Sequence, residues 1–236
     1  MKPVAIFRHS PTEGPGYFSD YLDERGVPWR IVRIDAGEAV PADPREFSGV
    51  ALMGGPMSVN DPLPWIPPVL DFIRGSMDAD VPVIGHCLGG QLMSKALGGV
   101  VSLNPVKEIG WGTVRIAPTA TARDWFGDVT EFLSFHWHGE TFTIPAGAER
   151  LASSDWCANQ TYVIGPHLGM QCHVEMKPGM ISTWCESWED EIRDARGTPS
   201  VQSPEAMHEH IERKVRDLNA VAKRLYDRWT RNLRGA

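Results

Sequence analysis

The first hundred residues alternate short apolar runs with segments of helical period. Val4–Phe7 is an unbroken apolar run of strand length. Tyr17–Arg25 reads as a helix stopped by Gly26, and Trp29–Ile34 as a strand rich in β-branched residues. Val50–Met53 is a third strand, ended by Gly54-Gly55-Pro56. Trp65–Met77 places Trp65, Ile66, Val69, Leu70 and Ile73 on one helix face. Val81–Ile84 is the continuous apolar run of a parallel strand covered on both faces, and Gln91–Leu97 is a helix closed by Gly98-Gly99. Strands and helices alternating at this spacing predict βαβ units and a doubly wound α/β sheet.

The pattern then changes. Val114–Ile116, Glu131–Phe135, Thr141–Ile144, Arg150–Ser153 and Tyr162–Ile164 are short runs divided by Gly, Pro and Asp, and read as antiparallel strands added to the first sheet. Gly169–His173 is a further strand. Ala195–Ser203 is linker-like, and Ser203-Pro204 opens a long helix reaching about residue 232. Its stripe of Ile211, Val215, Leu218, Ala222, Leu225 and Trp229 is a core-packing face. No repeat or second domain is visible, so residues 1–236 read as one α/β domain with a central mixed, mostly parallel sheet.

Composition narrows the function classes. Of 236 residues, 42% are hydrophobic and 22% charged, which excludes a largely disordered chain. The net charge of −7 and the lack of a basic tract argue against a nucleic-acid partner. Apolar runs are too short for a membrane span, and Arg8 cuts the N-terminal run too short for a signal peptide. A cytoplasmic location with free thiols is therefore expected. Cys87, Cys157, Cys172 and Cys185 are 70, 15 and 13 residues apart, which fits no zinc spacing. Neither a metal nor an organic cofactor is implied.

Gly85-His86-Cys87-Leu88-Gly89-Gly90-Gln91 carries the strongest chemical signal. A buried strand running into G-x-C-x-G and then a helix is a nucleophile elbow with cysteine as nucleophile. The glycines let strand and helix approach around a strained turn, and the helix N-terminus favours thiolate and can hold an oxyanion. His173 is the candidate base, because Glu175 two residues on shares its side of an extended chain and can orient the ring. Gly54-Gly55, after the third strand, can present a second oxyanion N–H.

GGP after a strand, then GHCLGGQ, then H-x-E, in that order, resembles the class I glutamine amidotransferase family. The match is nearest to its stand-alone group similar to the amidotransferase part of guanosine-monophosphate synthase. Glu13-Gly-Pro-Gly16, Glu108-Ile-Gly-Trp111 and Phe135-His-Trp-His138-Gly-Glu140 add to the resemblance, which spans roughly residues 1–190. It implies a flavodoxin-like fold, Cys87 as the nucleophile that forms a glutamyl thioester, His173 as base and Glu175 as its orienting carboxylate. It further implies an oxyanion hole from the N–H groups of Gly55 and Leu88, and substrate contacts from Gln91, Trp137 and His138. The implied substrate is glutamine, with ammonia passed to a synthase on a separate chain. Val174 stands where the family has Pro, which loosens the expected placement of Glu175.

Three other readings remain at this stage. A peptidase or amide hydrolase acting on γ-glutamyl conjugates would use the same Cys87 chemistry. Arg8-His9-Ser10-Pro-Thr12 resembles the R-H-G-x-T motif of histidine phosphatases, although Ser10 replaces the Gly. A non-catalytic binding protein of the same fold would leave the Cys/His/Glu set idle.

Overall fold

The computed structural model describes residues 1–235. A nine-stranded sheet has the order β2-β1-β3-β4-β9-β8-β7-β5-β6. Its first five strands are β1 (Val4–Arg8), β2 (Trp29–Arg33), β3 (Gly49–Leu52), β4 (Val83–His86) and β9 (His167–Met170), and they run parallel. The remainder, β5 (Val101–Ile116), β6 (Glu131–Phe142), β7 (Glu149–Ser153) and β8 (Thr161–Ile164), extend it antiparallel. The parallel part has the flavodoxin-like 2-1-3-4-5 order, which sends ligands to the carboxyl ends of the strands.

The parallel strands are buried on both faces, and alternation divides them between two cores. Val4, Ile6, Ala51 and Met53 face α1 (Tyr17–Glu24) and the C-terminal helix α8 (Ile211–Thr230). Ala5, Phe7, Val50 and Leu52 face α2 (Ile66–Asp78) and α3 (Leu88–Ala96). Covering both faces requires strands that are apolar throughout, the pattern read at Val4–Phe7 and Val81–Ile84.

Three elements differ from the sequence reading. Val114–Ile116 is only the end of the sixteen-residue β5, and Glu131–Phe135 and Thr141–Ile144 belong largely to one strand, β6. These two form a long ladder with a register shift between Leu103 and Glu108. Their polar and glycine positions conceal the strand pattern. The C-terminal helix begins only at Ile211, where the stripe starts. Before it, α7 (Pro204–His208) is capped by Ser203, and His210 at φ 55° breaks the two apart. The break lets Met207 pack separately, with its carbonyl accepting from Trp111 Nε1. Helices α5 (Pro178–Ser187) and α6 (Glu189–Asp194), over residues given no element, complete the fold beside α4 (Ala120–Phe126).

The elbow depends on glycine. A Cβ at Gly85 would stand 2.4 Å from the Gly89 carbonyl carbon, and one at Gly89 would stand 2.1 Å from the Leu52 oxygen. Both obstacles are backbone and cannot rotate away. Gly89→Ala is expected to destabilise the protein by about 3 kcal/mol, the upper range for overpacking. Urea unfolding checks this; a midpoint matching the wild type would show that the elbow is not tightly packed.

Candidate active site

Cys87 follows β4 and caps α3 with φ 49° and ψ −108°. This positive φ at a non-glycine residue is the strained conformation expected of a nucleophile elbow. It lifts the side chain off the sheet at its carboxyl edge, while the first N–H groups of α3, beginning with Leu88, have no partners within the helix. The thiol is 6% exposed and opens into a cavity of about 250 Å³. Gly55, Gln91, Trp137, His138 and His173 line the same cavity; of the other expected site residues, Leu88 follows Cys87 in the chain and Glu175 pairs with His173.

His173 lies three residues past the end of β9 rather than on it. The chain crosses to β6, where His173 N–H donates to the Phe135 carbonyl at 2.9 Å in an isolated bridge. His173 Nδ1 pairs with Glu175 Oε1 at 2.7 Å, and both residues are buried. Burial opposes the imidazolium, but Glu175 and then Cys87 outweigh it and hold His173 well above the usual histidine range. Glu175 is penalised by burial too, yet His173, followed by His86, keeps it below the usual carboxylate range.

The segment around Val174 is tied down by hydrogen bonds. Asn219 Nδ2 of α8 donates to the carbonyls of Val174 and Met176 at 3.3 and 3.1 Å, bracketing Glu175. Tyr17 N–H donates to the Glu175 carbonyl at 2.7 Å. The C-terminal helix therefore holds the segment carrying the His173–Glu175 pair as well as covering the core.

The candidate substrate residues divide into backbone and side-chain roles. Strand alternation sends His138 away from the mouth, with Nδ1 donating to the Glu140 carbonyl at 2.9 Å. Trp137 turns its side chain the other way, against Trp184 and Trp188. Its carbonyl lies 3.9 Å from Cys87 Sγ, so backbone of β6 faces the thiol. Gln91 reaches the cavity wall, but its Nε2 donates to Gln171 Oε1 at 3.1 Å, and Gln171 Nε2 lies 3.5 Å from Cys87 Sγ. Gln171 is therefore nearer the thiol than sequence spacing suggests.

Several site groups escaped the sequence reading. Glu13, quoted above without a role, places Oε2 over Gly54, where a Cβ would be 1.8 Å away. Burial pushes its carboxyl up to about 7, ahead of the opposing pull of His173 and the repulsion of Glu175. Helices α5 and α6 contribute Trp184, Trp188 and Glu191, whose Oε2 accepts from Trp137 Nε1 at 2.8 Å. No motif marks them; they enter through tertiary packing. Glu108, His136 and His138 form a buried cluster behind β6 whose donor atoms suit a metal ion.

The phosphatase reading does not fit this edge. His9 is 2% exposed, with Nδ1 against the Met53 carbonyl, and burial pushes it down to about 4. Arg8 pairs with Asp35 at 2.9 Å.

Buried groups set an acid limit to stability. Burial holds His9 and His167 at about 4, against 6.5 for an ordinary histidine, so unfolding near pH 5–6 takes up two protons there. Glu13, raised to about 7, releases about one, while His86, lowered by burial, adds uptake. Net uptake of at least one proton means stability falls by about 1 kcal/mol per unit as pH drops through this window. The melting temperature should be lower at pH 5 than at pH 6; a higher one would contradict the burial of neutral histidines.

The model of the glutamine amidotransferase class-I family matches residues 17–183. A glutamine amidotransferase-like protein of Salmonella typhimurium is 29% identical over 83% of this chain and 84% of its own. The GMP synthase of Vibrio vulnificus is 34% identical over 57% of this chain but only 26% of its own length, so the chain spans about a quarter of that enzyme. The crystal structure of a glutamine amidotransferase from Methylobacillus flagellatus superposes with a TM-score of 0.96 at 42% identity, covering 99% of this chain and 96% of that one. Among the described residues, no helix is long and apolar enough to cross a membrane. With the fold, the elbow and the family match in agreement, the chain belongs to the class-I glutamine amidotransferase family.

Proposed function

We infer that the protein hydrolyses the side-chain amide of glutamine through a thioester on Cys87 and releases ammonia for a partner on another chain. The observation that carries this reading is a cysteine at positive φ, at a helix start, sharing a cavity with the His173–Glu175 pair. Cys87 Sγ, its proton passed to His173, attacks the carboxamide carbon, and the resulting oxyanion takes N–H bonds from Leu88 and Gly55. His173 delivers a proton to the departing nitrogen, and the C–N bond breaks to give ammonia and the acyl-enzyme. The same ring then accepts a proton from water, which attacks the thioester and frees glutamate and the thiol. Glu175 stabilises the imidazolium and fixes its orientation.

An amino-acid substrate suits the cavity, which has charged groups of both signs at Lys107, Glu140 and Glu191. Lys107 and Glu191 pair with each other at 2.6 Å and Glu140 accepts from Ser58 Oγ, so a free α-amino and α-carboxylate can join this polar network, whereas a simple amide offers it no charged group. The test compares kcat/KM for glutamine, a γ-glutamyl dipeptide and propionamide. Glutamine is expected to exceed propionamide by about 10³-fold or more, as for sites that reject substrates lacking a required polar group. Equal values would remove the glutamyl site. A γ-glutamyl dipeptide exceeding glutamine would reassign the physiological leaving group and remove the ammonia partner.

A further inference from the structure

The antiparallel ladder behind the cavity brings three metal-type donors together. Glu108 of β5 lies opposite His138 of β6, and Gly110 lies opposite His136. Residues two apart on a strand share a face, so Glu108, His136 and His138 project together. They are 3%, 1% and 5% exposed, and one donor atom from each lies within 4.8 Å of the others.

Hydrogen bonding leaves this cluster incomplete. The Glu140 carbonyl can only accept, so His138 Nδ1 donates to it, and Nε2 is the ring nitrogen left to face the cluster. That Nε2 lies 3.0 Å from Glu108 Oε2, which is itself an acceptor. Neither ring nitrogen of His136 has a hydrogen-bond partner among the described residues, nor does His138 Nε2. Buried polar groups are normally paired, so a buried ring with both nitrogens open beside a carboxylate and a second imidazole points to an absent partner. A cation between them satisfies all three residues at once.

The surroundings fit such an ion. Ser154 Oγ donates to Glu108 Oε1 at 2.7 Å and Gln160 Nε2 to Oε2 at 2.8 Å, an outer shell that orients the carboxylate. The Glu140 carbonyl fixes the His138 tautomer in the same way. Gly112 leaves room for the His136 ring, since a Cβ there would stand 3.0 Å from it. A cavity of about 70 Å³ reaches Glu108 and His136 past Trp156, Ser200 and Gln202, giving an entry path and space for a water ligand. Two imidazoles and one carboxylate, without thiolate, suit zinc and neighbouring divalent transition metals rather than calcium or magnesium.

We propose that Glu108, His136 and His138 bind one divalent transition-metal ion of the zinc class, which clamps β5 to β6 behind the Trp137 carbonyl that faces Cys87. Ligand atoms around tetrahedral zinc lie roughly 3.3 Å apart, close to the 3.0 Å between His138 Nε2 and Glu108 Oε2, so binding needs only the remaining spacings, up to 4.8 Å, to tighten. The ligand side chains project from the face of β6 opposite the Trp137 side chain, and the ion acts on the strand, so the thioester chemistry does not pass through it.

The test uses the full chain carrying Cys87→Ala, so that the thiol cannot bind the probe, after stripping with chelator. Cobalt(II) titration is expected to give one equivalent and the visible absorption of a low-coordinate site, displaced by zinc. Glu108→Gln and His136→Phe should each weaken cobalt by more than the roughly 10–100-fold that loss of an outer-shell partner costs. Zinc should raise the melting temperature of the Cys87→Ala protein and leave that of the two further variants unchanged. If His136→Phe does not fold by circular dichroism, Glu108→Gln decides. No cobalt uptake would overturn the proposal and leave the His138–Glu108 contact as a structural pair. Unchanged affinity in the folded variants would overturn it too.

Discussion

Cys87→Ser is expected to keep the fold and lose roughly 10⁴-fold or more in kcat with glutamine, the scale seen when a nucleophile acting with its base is removed. The hydroxyl fits where the thiol sits, so stability should change little. The loss is chemical, because a serine hydroxyl at neutral pH is a much weaker nucleophile than a cysteine beside a basic imidazole. The other thiols cannot substitute. Burial pushes Cys172 up to about 12 and Cys185 up to about 11, and raises Cys157 as well. Limiting iodoacetamide should therefore label Cys87 before the other three. First labelling at Cys157 or Cys185, or ammonia release by Cys87→Ser at near the wild-type rate, would remove the assignment.

His173→Ala is expected to cost roughly 10³–10⁵-fold in kcat, because it removes both the proton acceptor and the donor. Glu175→Gln should cost about 10–100-fold less, since an orienting group acts through the ring it holds. The two also differ in pH dependence. Glu175 is the largest of the groups that raise His173, so Glu175→Gln should lower the apparent pKa that the pH–rate profile assigns to the imidazole. His138→Ala should affect KM more than kcat, because His138 lines the cavity while its Nδ1 bonds the Glu140 carbonyl rather than a reacting atom. If His138→Ala abolished turnover while His173→Ala retained it, the roles proposed for β6 and for the bridge residue would be exchanged.

The parallel half of the fold was readable because each of its strands is apolar on both faces and ends in glycine or turn residues. Cys87 was readable for a related reason: the glycines around it have backbone within 2.6 Å of where a Cβ would stand, a local requirement written directly into G-x-C-x-G. The His173–Glu175 pair followed from extended-chain alternation, although the bridge to Phe135, not β9, holds it in place. The long ladder of β5 and β6 was hidden, because one face packs the core while the other carries Glu108, His136 and His138. The side-chain cluster behind β6 depends on cross-strand register, which spacing along one chain does not reveal. Trp184, Trp188 and Glu191 reach the cavity only because α5 and α6 fold back over it. Met207 shows the same effect: its separate packing breaks the C-terminal helix at His210, where the apolar stripe alone sets no boundary before Ile211.

The central claim, an acyl-enzyme on Cys87, is tested most directly by intact-mass spectrometry of the protein acid-quenched during turnover of glutamine. The account predicts a population heavier by one glutamyl group, mapped by digestion to the peptide carrying Cys87 and absent in Cys87→Ser. Ammonia release at an undiminished rate in Cys87→Ser, or a glutamyl adduct mapped to any other residue, would contradict it.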